Sequence, residues 1–147
     1  MAKGKVSPEL IEQFKQIVGE KYVYTDKDKL EPYSHDEVTD PHYMKEPQVV
    51  VLPATTEEVS KVVKLCYEND TVMVPRAAGT GLAAGAVATF GGVIISIERM
   101  NKILEIDKDN MVCVSEAGVT TSVLQEAVQK EGLFYGGDPC SGDSCFI

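Results

Sequence analysis
The chain alternates between segments whose apolar residues recur every three to four positions and short runs that are apolar almost throughout. Leu10, Ile11, Phe14, Ile17 and Val18 share one face at helical period. Ser7 suits the cap, Pro8 the first helical position and Glu9 the positive end of the dipole, while Gly19 suits the stop. Residues 25–47 are polar and interrupted by Pro32, Pro41 and Pro47, which reads as a long irregular connection over the surface. Gln48–Leu52 is a β-branched run ended by Pro53, and Thr55 with Glu58 forms a capping box. Val59, Val62, Val63 and Cys66 line one face of the helix that this box opens. Thr71–Val74 is a second buried run, ended by Pro75. Strand, helix and strand with short joints predict a βαβ unit with parallel strands and a right-handed crossover.

A Gly-rich loop follows, then apolar runs at Val93–Ile97, Ile103–Ile106 and Met111–Glu116, the last two joined by a turn at Asp107–Asn110. Thr120 or Thr121 caps a final helix with Val123, Leu124, Ala127 and Val128 inward and Gly132 as its stop. The expected class is α+β, leaning to α/β: an N-terminal helix, a parallel βαβ unit, then mixed or antiparallel strands and a helix.

Composition narrows the function. The 147 residues are 44% hydrophobic and 25% charged, ordinary for a globular domain. The net charge of −9 repels nucleic-acid backbones and anionic lipid surfaces. The stretch from Gly81 to Ile97 is too short and too rich in Gly and Ala for a membrane span. No secretory signal follows Met1, so the four cysteines are expected to be reduced thiols in a cytoplasm.

The segment that carries chemistry is Val74–Gly85, with glycines at 79, 81 and 85 after a buried strand. Glycine adopts positive φ freely and lets a ligand approach the backbone, so successive N–H groups can cradle a diphosphate. Thr80 adds a hydroxyl, and Arg76 is expected to add a cation at the rim. Gly79-x-Gly81-x-x-Ala84, with Glu98 further on, imitates a dinucleotide fingerprint. That fingerprint needs a helix opening at the loop, and Leu82–Phe90 offers little room for one before Gly91 and Gly92. A P-loop fails because no Gly-Lys-Ser/Thr is present. On spacing alone, a cofactor cradle and a tight turn that lets two backbones pack closely both stand.

Pro75-Arg76-Ala77-Ala78-Gly79-Thr80-Gly81-Leu82 resembles the pyrophosphate loop of the FAD-linked oxidases, the vanillyl-alcohol oxidase type. The resemblance runs from about Glu46 to the end, through Pro47–Val59, Arg99–Ile103, Glu116–Val119 and Gly137–Ile147. It is nearest to the branch that holds the glycolate oxidase flavoproteins and the D-lactate dehydrogenases. It implies the first subdomain of a two-subdomain FAD-binding fold, with residues 1–45 as a helix and connection and 46–147 as the front of the FAD domain. It implies FAD as cofactor, held by Pro75, Arg76, Ala77, Ala78, Gly79, Thr80, Gly81 and Leu82, with Gly118 allowing close approach and Pro139, Ser141 and Ser144 along the flavin and its phosphates. Phe146 stands where the family more often has Ser or Thr.

The implied activity is oxidation of a 2-hydroxy acid, of lactate or glycolate type, with electrons passed on to an acceptor such as an electron-transfer flavoprotein. Two alternatives are an FAD-linked oxidase of another alcohol or sugar and a non-catalytic binding domain of the same fold. The end on Phe146-Ile147 reads as a cut in mid-loop, so catalytic residues are expected downstream, none is assigned, and the fragment alone is expected to hold FAD weakly. His35 and His42 lack a third ligand, and Cys140 and Cys145 lack a second pair, so no metal site is expected. Ser34–Glu37 reads as a solvated acidic loop, and the tyrosines at 22, 24, 33 and 43 as core or rim packing residues, with covering a pocket as the alternative.

Overall fold
The computed structural model describes residues 5–147. Helix α1 spans Pro8–Val18 and opens as its sequence dictates, with Ser7 Oγ accepting from the Leu10 N–H at 3.2 Å. Leu10, Phe14 and Val18 are its buried face. Strand β1 follows at Val23–Tyr24, then a one-turn helix α2 at Lys27–Leu30 and two 3-10 turns, Glu31–Tyr33 and Pro41–Tyr43. The connection expected at 25–47 is therefore more ordered than its proline content suggests. Strand β1 has no signature in the sequence, because two residues show no period.

Strand β2 is Val49–Val51 and helix α3 is Thr56–Glu68. The capping box at α3 forms: Thr55 Oγ1 accepts from the Glu58 N–H at 3.2 Å, while Glu58 Oε2 accepts from the Ala54 N–H at 2.7 Å. Strand β3 is Met73–Arg76 and strand β4 is Val93–Ser96. The sheet order is β1-β2-β4-β3, with β2 and β3 both parallel to β4 and β1 antiparallel to β2. The βαβ expectation holds in direction, but β4 inserts between the two strands it joins. Pro75, expected to end β3, lies inside it. The sheet order explains why: β3 is an edge strand, where a residue without an N–H leaves no ladder bond unmade.

Strands β2 and β4, apolar except for Ser96 at the end of β4, are buried on both faces, as central parallel strands are. Val49, Val51, Val93 and Ile95 face α1 and α3, in a core with Phe14, Val62 and Cys66. Val50 and Ile94 face the other way, against Leu30, Leu52 and Ala88. Ala88 belongs to the connection 77–92, which contains turns and no helix. This loop covers the sheet face that a crossover helix would otherwise cover.

Strands β5 (Ile103–Asp107) and β6 (Val112–Ser115) form a separate antiparallel pair, closed by the turn in which Asp107 accepts from the Asn110 N–H at 3.0 Å. Helix α4 (Thr121–Lys130) packs Leu124 and Val128 onto this pair, with Val119 completing a second small core. Thr120 occupies the cap position of α4 without a side-chain bond. The amides of Thr121 and Ser122 go instead to the carbonyls of Cys145 and Gly142, both at 3.0 Å. The C-terminal loop thus closes the start of α4.

Candidate functional site
The edge strand β3 delivers Arg76 to the base of the glycine loop. Arg76 is 8% exposed, and its guanidinium donates to the carbonyls of His35 (2.8 Å), Ala86 (3.2 Å) and Pro32 (3.2 Å). Burial pulls its pKa down, while Tyr33, Asp36 and Glu98 favour the charged form. The cation expected at the rim is therefore beneath the loop, clamping it to residues 32–35. A fixed guanidinium satisfies buried carbonyls better than it would face solvent, because its donors form a planar fork.

Gly79 sits directly over that guanidinium with φ +76°, and a Cβ there would run into the arginine side chain. Two physical demands meet at this position: left-handed backbone and no side chain. Among the described residues, the amides of Ala78, Gly79, Thr80, Gly81 and Leu82 donate to no acceptor. Leu82–Phe90 forms no helix, so these N–H groups belong to the loop itself and not to a helix end. Unpaired amides in succession leave partial positive charge available to an anion.

The same segment, residues 32–37, holds the loop at a second point. The Glu37 N–H donates to the Gly81 carbonyl at 3.0 Å, and the Tyr33 hydroxyl donates to Glu98 Oε1 at 2.6 Å. Partial burial, followed by the bond to Glu98, pushes the Tyr33 phenol up, so Tyr33 remains a donor. The acidic run at 34–37 is not the solvated loop its composition suggests: Asp36 is 5% exposed, with Oδ1 accepting from the Val38 N–H at 2.9 Å. Its Oδ2, and Ser96 Oγ in register with Arg76, are buried oxygens without a hydrogen-bond partner.

Beside the loop lies a cavity of about 270 Å³. Ala77 and Ala78 form one wall, Tyr33 and Glu98 another, and Ser144 with Phe146 a third. The structure thus brings Ser144 to the loop from a distant part of the chain. Pro139 and Ser141 lie on the same C-terminal turn, where the Ser141 carbonyl accepts from the amides of Ser144 (2.8 Å) and Cys145 (2.7 Å), but they do not line this cavity. Gly118 packs against its own chain: its N–H donates to the Met100 carbonyl at 2.8 Å, and a Cβ would collide with the carbonyls of Ile97 and Met100. The close approach expected at Gly118 is therefore one of backbone to backbone. A larger cavity of about 560 Å³ between β6 and α4 is walled by apolar groups such as Val112, Leu124, Val128 and Phe134, and offers no charged group.

Sequence reasoning misses Asp36 and Glu98 as site residues and offers Tyr33 only as one of four tyrosines able to cover a pocket. Tyr33 and Asp36 lie in a segment without periodicity, and Glu98 stands out only as part of an imitation fingerprint. Among the described residues, no group of three or more His, Cys, Asp or Glu is placed to hold a metal ion, and no helix is long and apolar enough to cross a membrane.

A family model described as FAD binding domain matches residues 47–147. The chain is 44% identical over 137 residues to a D-lactate dehydrogenase of Anaerostipes hadrus, covering 92% of this chain and 28% of that protein. It is 39% identical over 109 residues to the glycolate oxidase protein GlcD of Bacillus subtilis, covering 74% of this chain and 23% of that protein. Among solved structures, alkyldihydroxyacetonephosphate synthase superposes with a TM-score of 0.85 at 24% identity, over 97% of this chain and 30% of that one. The chain therefore spans less than a third of the length of these relatives.

Proposed function
The chain belongs to the FAD binding domain family, and from that premise we propose that the loop after β3 holds the diphosphate of FAD. The observation that carries this reading is the run of unpaired amides from Ala78 to Leu82. The residues fit the group: the amides supply donors, Gly79 leaves the backbone open, and Arg76 adds a fixed positive charge beneath it. Pro75, Arg76 and Ala77 carry the loop out of the strand, and Thr80 offers a hydroxyl. Ser144 lines the adjoining cavity, with Pro139 and Ser141 further along the same turn. Gly118 acts indirectly, by letting the turn before α4 lie against Ile97–Met100.

The reading extends to the protein's activity. Bound FAD supplies a two-electron acceptor, and the protein's share is to bind it, orient it and exclude water. The likeness to a D-lactate dehydrogenase and to GlcD supports oxidation of a 2-hydroxy acid, of lactate or glycolate type, to the 2-oxo acid. Electrons then leave to an acceptor, for which an electron-transfer flavoprotein is a candidate. The four unpaired cysteines suit a reducing compartment such as the cytoplasm.

The test is a titration of apoprotein of natural length with FAD, followed by flavin fluorescence and absorbance. Stoichiometric uptake, then bleaching of the flavin by D-lactate or glycolate without oxygen, is the expected result. Failure to take up FAD overturns the cofactor reading, whereas uptake without bleaching by any 2-hydroxy acid overturns only the substrate. The isolated residues 1–147 are expected to bind FAD much more weakly; nanomolar affinity in that piece would contradict this.

A further inference from the structure
The cavity beside the glycine loop carries a charge that diphosphate binding does not use. Glu98, half-buried just after β4, directs Oε1 to the Tyr33 hydroxyl at 2.6 Å, and Oε2 has no partner among the described residues. Arg76, 5.5 Å from the Tyr33 ring, directs its hydrogen bonds to main-chain carbonyls and gives none to Glu98. A carboxylate on this wall repels a phosphate, whereas the unpaired amides of Ala78–Leu82 attract one. The two halves of the site therefore sort a ligand by chemistry. Anionic oxygens belong at the amides, and neutral hydrogen-bond donors belong at Glu98. Tyr33 reinforces the sorting: by donating to one carboxylate oxygen it fixes the group and leaves the other as an acceptor only.

We infer that Glu98, held in place by Tyr33, is a hydroxyl-recognition residue for the sugar or sugar-alcohol portion of the cofactor that flanks the diphosphate. This rests on the FAD reading and deepens it. The shared chemistry is a chain or ring of vicinal hydroxyls, and it occurs in two parts of the cofactor, the ribityl chain and the adenosine ribose. Charge-assisted bonds from hydroxyls to a carboxylate are about twice as strong as neutral ones, so a single glutamate can set the ligand's direction across the loop.

The experiment compares the wild-type protein of natural length with Glu98→Gln by titration calorimetry, using FAD, FMN, ADP and inorganic pyrophosphate, with thermal melts as the folding control. The expected result is a loss of about tenfold in FAD affinity, the scale of one charge-assisted bond weakened to a neutral one. Pyrophosphate should bind the variant at least as tightly as the wild type, because a repelling charge has gone. A parallel loss for ADP assigns the hydroxyls to the ribose, and a parallel loss for FMN assigns them to the ribityl chain; either supports the inference. Unchanged FAD affinity overturns it, and so does an equal loss for FAD and pyrophosphate, which would mark a general disturbance of the loop. If Glu98→Gln melts early, Tyr33→Phe carries the same test: weaker FAD, undiminished pyrophosphate. A wild type that takes up no FAD overturns the cofactor reading first and this inference with it.

Discussion
At position 79 a single methyl group would meet two obstacles at once. The backbone has φ +76°, and the space a Cβ needs is filled by the Arg76 guanidinium. Gly79→Ala should cost about 2 kcal/mol in urea unfolding, from backbone strain and the displaced arginine together, and should weaken FAD binding at least tenfold. An alanine variant with unchanged unfolding midpoint and unchanged affinity would show that neither demand is real. Cys66 makes a different case, in which burial alone sets the chemistry. It is fully buried beneath β2 and β4, and desolvation pushes its thiol from the ordinary 9.0 up to about 11. The unfolded chain releases this proton near pH 9, and the folded protein holds it until about pH 11, so the native state binds more protons in between. Stability is therefore intact below pH 9 and falls as pH rises toward 11. Tyr33, also raised, acts in the same direction. Urea midpoints across this range should decline, and Cys66→Ala should make the decline shallower; an identical slope in the variant would remove Cys66 as a cause.

Among the elements, those with strong local signals form where the sequence places them. Helices α1 and α3 carry both a cap and an apolar stripe, and local residues alone determine each. Helix α4 buries Leu124 and Val128 of its expected stripe but leaves Val123, expected inward, 52% exposed, and it lacks the expected cap because the donors at its start are satisfied by Cys145 and Gly142, about twenty positions away or more. Strand β3 runs through a proline that the local rule would make its end, since an edge position removes the penalty. The connection 77–92 is legible as a loop too poor in helix signal to be a crossover helix, and so it is. Its second role, covering the sheet with Ala88, cannot be read locally: a buried alanine in a Gly/Ala-rich tract looks like any other.

Across the whole molecule, the apolar residues gather into unequal units. The four-stranded sheet is packed on both faces, while the β5–β6 pair with α4 has a small core of its own and exposes Met111, Val112 and Phe134, the last at 91%. Amide hydrogen exchange should therefore be slowest at β2 and β4 and faster by orders of magnitude at β5 and β6. Equal protection in the two sheets would mean that the molecule opens as one cooperative unit. The candidate site lies in the larger unit and reaches out to Ser144 on the C-terminal turn. Its partners come from 41 and 65 positions apart, Arg76 with His35 and Tyr33 with Glu98. The sequence by itself determined the period of α1, α3 and α4, the two-sided burial of the central strands, and a glycine loop able to expose its amides. All of these depend on backbone preference and on residues a few positions apart. Only the tertiary structure decided that Arg76 lies under the loop, that Asp36 is buried, and that Glu98 meets Tyr33. Those placements follow from sheet order and from where a polar strap crosses it, and no local preference encodes which distant carbonyl or hydroxyl a side chain will find.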